Sequence, residues 1–319
     1  MFKTPILFIA FNRLDTALRV FELIAQQKPK RLFFAVDAPR ENVAGEKEKC
    51  DKVKSIIEQI DWDCKVKTFF PENNLGPKLA LSSAITWFFE QVEEGIILEH
   101  DCLPDISFFR FCEELLEKYK NDERIMHITG NNFSVNKKFS DHNDSYFFSS
   151  VPSIWGWATW RRAWKHYDVA MKDFPEFVKR KKIKEIFKSK SVQRFWLEVF
   201  RKNYESRDDS WDWPWCFALF NKKGLVVTPK TNLVSNIGFD SLALHTKDSN
   251  NRLAHLPIKP LEFPLLRQEP ITVNKRADGY FNRYVLDINF LNYFFKKILK
   301  TIGLFNIVKA LHYRIKKIK

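Results

Sequence analysis

Over the first 130 residues, short apolar runs rich in β-branched and aromatic residues alternate with longer stretches of helical periodicity. The runs Ile6 to Phe11, Arg31 to Val36, Val66 to Phe70, Gly95 to Leu98 and Ile125 to Thr129 read as strands. Asp15 to Gln27, Glu46 to Ile60, Pro77 to Gln91 and Ile106 to Tyr119 read as helices between them. Such alternation predicts βαβ units, and hence an α/β fold with a mostly parallel central sheet and helices on both faces. Polar residues cluster just past the strands: Asn12 and Arg13, Asp37, Asn73 and Asn74, then Glu99 and Asp101. Open parallel sheets bind ligands at the carboxyl ends of their strands, so these groups are expected to converge on one crevice. A cation, a basic residue and a lone Asp together suit a nucleoside diphosphate. No G-x-G-x-x-G or Walker motif is present, which disfavours dinucleotide and P-loop chemistry.

The segment Ile96 to Pro104 ends an apolar run on two carboxylates two residues apart. In an extended chain Glu99 and Asp101 emerge on one side and His100 on the other. Two readings stand for this pair. It can hold a hard divalent cation at the strand end, or the strand simply reaches solvent, with Pro104 and Asp105 opening the next helix.

The 319 residues are 45% hydrophobic, enough for a large core in one big domain or two smaller ones. The five cysteines (Cys50, Cys64, Cys102, Cys112, Cys216) form no C-x-x-C pair. That argues against a disulfide framework or zinc site and for a reducing compartment. The start of the chain lacks a signal-peptide core, and no run approaches the roughly 18 apolar residues that span a bilayer. The expectation is a cytoplasmic protein, or one held at the inner face of the cell membrane by its surface alone.

The net charge of +14 is unevenly placed: from Ile288 to Lys319 there are eight Lys or Arg and no acid. Apolar residues in this tail (Phe295, Ile298, Ile302, Phe305, Val308, Leu311) recur at three- and four-residue steps, the spacing of an amphipathic helix. Residues 290–319 are therefore expected to meet an anionic membrane surface, the alternative being a helix docked on the protein's own core. The lysine cluster from Lys179 to Lys190 reads as a solvated helix face. Residues 247–289, with Pro257, Pro260, Pro264 and Pro270, read as an extended strap.

Several motifs in combination carry a resemblance: Pro5 to Arg13, Val36-Asp37, Asn74-Leu75-Gly76, Leu98-Glu99-His100-Asp101 and Trp155-Gly156-Trp157. From Pro5 to about His245 the chain resembles nucleotide-sugar glycosyltransferases of the GT-A fold, notably bacterial relatives of N-acetylglucosaminyltransferase I. The resemblance implies a GT-A domain over 1–246, with a nucleotide-sugar half (1–130) and a Trp-rich acceptor half (131–246). It also implies a nucleotide-sugar donor and a glycan or lipid-linked acceptor. Asp37 would read the base, with Arg13 beside ribose or phosphate and Asn12 and Lys78 facing the same pocket. Asp101 matches the family's cation ligand and Glu99 a position supporting the donor sugar. His100 replaces the acid usual at the middle position. His245 falls where a second ligand to Mn²⁺ or Mg²⁺ comes from downstream. Asp212, in Ser210-Trp211-Asp212-Trp213-Pro214-Trp215, matches the catalytic base, with Asp208 and Asp209 as fallbacks. Trp155, Trp157 and Trp160 would wall donor from acceptor, and Trp211, beside Asp212, would offer its face to a sugar ring. Against this stand a Trp-rich core in which Asp212 merely caps a helix, and, for Trp160, plain core packing.

Two other classes are weighed. A sugar nucleotidyltransferase needs a basic triphosphate loop near the start of the chain, and Asn12 to Thr16 holds one Arg and no glycine. A non-catalytic membrane- or nucleic-acid-binding protein would bind salt-sensitively without metal or nucleotide. No nucleic-acid motif supports the latter, so no nucleic-acid partner is expected.

Overall fold

The computed structural model describes residues 2–134, 139, 144–239, 251, 253–266 and 270–288. The first half follows the alternation: β1 (Ile6–Ala10), α1 (Leu14–Gln27), β2 (Arg31–Val36), α2 (Glu46–Lys54), β3 (Lys65–Phe69), α3 (Gly76–Gln91), β4 (Glu94–Glu99), β5 (Cys102–Pro104), α4 (Ile106–Tyr119) and β6 (Ile125–Thr129). The second half adds β7 (Tyr146–Ser149), β8 (Trp157–Trp160), α5 (Arg161–Trp164), α6 (Phe174–Lys179), α7 (Ile183–Ile186), α8 (Lys190–Tyr204), α9 (Asp212–Lys222), β9 (Leu225–Pro229), β10 (Val234–Asn236) and α10 (Lys275–Tyr280).

The main sheet has eight strands in the order β3-β2-β1-β4-β8-β6-β9-β7. Parallel pairing joins β1 to β2 and β4, β2 to β3, and β6 to β9, while β8 and β7 run antiparallel to their neighbours. The fold is thus the expected mixed α/β arrangement with a mostly parallel sheet. β8 is wedged between β4 and β6, with Ala158 opposite Ile96 on one side and Ile128 on the other.

Strands covered on both faces carry near-continuous apolar sequence, and β1 shows why. Ile6, Phe8 and Ala10 face one core with α1 and α4, whereas Leu7 and Ile9 face a second core with α3, α8 and α9. The second core holds most of the tryptophans, including Trp157, Trp164, Trp196, Trp211 and Trp215.

β5 and β10 form a separate two-stranded ribbon that folds the chain after Asp101 onto residues 236–239. The strap is extended over 256–266, where the Leu261 amide donates to Ser107 Oγ (3.0 Å) and the Ser145 amide to the Leu266 carbonyl (2.7 Å). It then departs from the expected extended form. The Asn274 side chain accepts from the Ala277 amide at 3.0 Å, an N-cap that starts α10 where the prolines stop. Among the described residues no helix is long and apolar enough to cross a membrane. The tail 290–319 lies outside the described residues.

Candidate active site

A cleft of ≈ 600 Å³ opens at the carboxyl ends of β1, β2 and β4 and reaches the start of α9. This is a typical size for a small-molecule site.

The β1 end contributes Asn12 and Arg13, both lining the cleft. Asn12 Nδ2 donates to Glu46 Oε1 at 2.8 Å, and Arg40 binds the same carboxylate through its amide (2.8 Å) and Nε (2.9 Å). Glu46 is only 2% exposed. The Arg40 guanidinium holds its carboxyl down to about 2. The pair braces Arg40 on the cleft wall, where it also lies 5.8 Å from the Phe11 ring. Sequence reasoning missed both residues, because an acid in a first helical turn is ordinary and signals nothing beyond the helix start. Arg13 donates from Nη1 to the Gly238 carbonyl at 3.4 Å.

Asp37 follows β2, lines the cleft and ties its wall together. Its carboxylate accepts from the amides of Ala38 (2.9 Å), Leu75 (3.0 Å) and Gly76 (3.1 Å) and from Asn74 Nδ2 (3.0 Å). Gly76 adopts φ +72°, a left-handed conformation that glycine takes at little cost, which turns its amide toward the acid and starts α3. Desolvation raises the Asp37 pKa despite these donors.

At the β4 end, the expected alternation fails for a local reason. The strand stops at Glu99 and turns through His100 and Asp101, so all three line the cleft and His100 does not point away. The His100 amide still pairs with the Ile9 carbonyl (2.9 Å), holding the turn against β1. Burial pushes the Glu99 carboxyl well up, reinforced by the charges of Asp101 and Asp212. Residues 237 and 238 pack directly against Asp101: the Ile237 amide donates to its carbonyl at 2.8 Å, and a Cβ added at Gly238 would lie 2.2 Å from its Oδ2.

Asp212 opens α9 and lines the cleft next to Trp211. Burial raises its carboxyl to about 6, against the opposing pull of the amides at the helix start. Four tryptophans stand behind it. Trp211 stacks on Trp157 (5.9 Å, 23°), and Trp215 packs on Trp157 (5.8 Å) and Trp164 (5.1 Å). His127 of β6, fully buried, stacks on Trp157 at 5.0 Å. Its Nδ1 accepts from Trp215 Nε1 at 3.1 Å while its Nε2 meets the Ser153 carbonyl at 2.9 Å. This tautomer keeps the ring neutral, and burial pushes its pKa down to about 4. His127 thus pins α9 to the loop before β8, a role that a histidine inside a strand pattern does not announce.

Of the residues singled out in the sequence, Asn12, Arg13, Asp37, Glu99, His100, Asp101, Trp155, Trp211 and Asp212 come together here. Two do not. Trp157 is 0% exposed and lies behind Trp211 as packing instead of walling donor from acceptor. Lys78 turns away from the cleft: its Nζ donates to Asn203 Oδ1 (2.8 Å), whose Nδ2 holds the Ser210 carbonyl (3.0 Å). That lysine fastens the segment leading into Asp212. His245 lies outside the described residues. Among the described residues, no group of three His, Cys, Asp or Glu is arranged to hold a metal ion.

No family model matches the chain, and no curated protein matches it. Among solved structures the chain is similar to the mannosyltransferase PcManGT from Pyrobaculum calidifontis, in complex with GDP-Man and Mn2+ (12% identity, 68% of this chain and 69% of that one, TM-score 0.36). It is also similar to 4-diphosphocytidyl-2C-methyl-D-erythritol synthase from Anaerococcus prevotii (10% identity, 70% and 88% covered, TM-score 0.35). A third similar structure is HddC from Yersinia pseudotuberculosis (13% identity, 50% and 77% covered, TM-score 0.30). Likenesses this distant carry no activity from those proteins to this chain.

Proposed function

We propose that this chain is a GT-A glycosyltransferase, moving a sugar from a nucleoside diphosphate sugar to a hydroxyl of a cell-envelope glycan or lipid-linked acceptor. UDP-sugars are the first donors to test. One observation carries the reading: carboxylates from two distant parts of the chain, Glu99 and Asp101 after β4 and Asp212 at the start of α9, line one cleft with Arg13 and Arg40.

A divalent cation suits this site chemically. Glu99 is disfavoured as an anion by burial and by the negative charges of Asp101 and Asp212, a repulsion that a cation relieves. Gly238, having no Cβ, lets the Asp101 side chain lie against its backbone, where a Cβ would come within 2.2 Å of Oδ2. Asp101 would hold Mn²⁺ or Mg²⁺, with Glu99 beside it, and His245 remains the downstream candidate. When bound, the ion would supply charge neutralisation for the donor diphosphate and its leaving group.

The rest is work for the chain's own groups. Arg13 and Arg40 offer positive charge to the phosphates, and the Asp37 loop shapes the base end. Trp155 and Trp211 offer aromatic surface to sugar rings. Asp212, with a carboxyl near 6, is ionised at neutral pH yet basic enough to take the acceptor hydroxyl proton as its oxygen attacks the anomeric carbon. One displacement opposite the leaving group would invert that carbon.

The test is a screen of nucleotide sugars with Mn²⁺ for thermal stabilisation and nucleoside diphosphate release. Asp101→Asn should weaken metal-dependent donor binding. Asp212→Asn should bind donor normally and lose about 10²- to 10⁴-fold in turnover. Wild-type transfer rates in both variants would overturn the assignment.

A further inference from the structure

A second cleft, of ≈ 990 Å³, lies at the other end of α9. The helix spans 11 residues, so about 16 Å separates the Asp212 end from this one. Its floor is a preformed aromatic pair, Phe187 and Phe220, with ring centroids 5.4 Å apart and Trp196 packed on both. Half-exposed apolar side chains, Ile186, Leu225, Val273 and Ile288, form its walls.

The rim is cationic. Lys184, Lys188, Lys275 and Arg283 are all exposed on the cleft, and none has a carboxylate partner among the described residues. The two acids of the cleft are already engaged. Glu185 is paired with Lys223. Asp278, 7% exposed, accepts from Ser149 Oγ (2.6 Å) and the Ser150 amide (3.0 Å). Apolar walls under uncompensated positive charge are complementary to an amphiphile with an anionic head.

We propose that this cleft binds an anionic membrane lipid, its phosphate on the Lys184, Lys188, Lys275 and Arg283 rim and its upper acyl segment against Ile186, Leu225, Val273 and Ile288. The neighbouring sequence argues for this occupant over the protein's own tail. Residues 289–319 continue from Ile288 with eight Lys or Arg and no acid, so the rim repels them by charge, whereas an anionic bilayer attracts both. A headgroup site together with a polybasic segment also supplies the two signals that stable membrane attachment requires.

The test uses the full chain with vesicles of phosphatidylcholine alone or in equal parts with phosphatidylglycerol, and monomeric short-chain phosphatidylglycerol in thermal-shift titrations. Lipid as monomer separates a built site from diffuse surface charge. Lys184→Gln, Lys188→Gln, Lys275→Gln and Arg283→Gln should each weaken vesicle partition about fivefold. Combined, they should abolish a saturable stabilisation by the short-chain lipid while leaving the lipid-free melting midpoint unchanged. Val273→Trp, which fills the cleft without altering charge, should abolish that stabilisation too. The proposal is overturned if the combined variant partitions like wild type, or if the wild-type chain shows no saturable stabilisation, the result expected were the tail itself seated in the cleft.

Discussion

At the scale of single residues, Asp212 makes the sharpest statement about pH. Its carboxyl is raised from the ordinary 3.8 to about 6, so the folded protein holds this proton more tightly than the unfolded chain does. Its contribution to stability is therefore present below 3.8 and lost as pH rises through 6. Asp212→Asn should raise stability at pH 7.5 by about 1–3 kcal/mol, with the gain vanishing in acid, as melting curves at several pH values would reveal. In the proposed reaction the base must be ionised. The kcat/KM of the wild-type protein should be level above pH 7 and fall about tenfold per unit below 6. A level profile down to pH 4.5 would remove Asp212 from the role of base. Gly238 offers a purely steric check. A methyl group there would sit 2.2 Å from Asp101 Oδ2 and 2.9 Å from its Cβ, so Asp101 must move. Gly238→Ala should keep an unchanged circular dichroism spectrum and lose roughly tenfold or more in Mn²⁺-dependent donor binding, measured by calorimetry.

At the scale of elements, the cleft depends on loops anchored by single carboxylates. Glu46 fastens the loop after β2 to Asn12 through one buried side chain. Held at about 2 by Arg40, below its usual 4.5, it stabilises the fold above pH 4.5 and loses that contribution as pH falls toward 2. Glu46→Gln should cost about 2 kcal/mol at pH 7 and little at pH 2.5, as urea titrations at the two values would measure. Legibility in the sequence divides along similar lines. β1, β2 and β4 were readable because they are long apolar runs with polar residues at one end, and that pattern also located Asn12, Arg13, Asp37, Glu99 and Asp101. The turn that brings His100 into the cleft was not readable, since alternation holds only while a strand lasts. Lys78 and Trp157 misled for a different reason. Both residue types suit a sugar-nucleotide pocket, but their partners, Asn203 and the Trp211–Trp215 cluster, are far along the chain, and only tertiary packing decides which way each side chain turns.

At the scale of the whole molecule, the first half was legible and the second was not. β7, β8 and β9 break the one-strand, one-helix alternation, with no helix between β7 and β8 and five helices between β8 and β9, so local periodicity gives no hint of where they join the sheet. The order in which they join has its own consequence. Four strands, β3, β2, β1 and β4, can pair as soon as the first hundred residues exist, but among the described residues β6 pairs only with β8 and β9, both encoded later. During synthesis a nascent chain ending near residue 150 would present the open edge of β4 and an unpartnered apolar β6. Exposed edges of this kind seed aggregation. A fragment of residues 1–150 should collect in inclusion bodies or on chaperones, whereas a chain extended through β9 should be recovered in the supernatant, as a fractionation assay would establish. The late arrival of Trp157 to Trp160 acts as a checkpoint: until this short antiparallel strand slots in, the nascent polypeptide has two unfinished halves and no continuous hydrogen-bonded layer to join them.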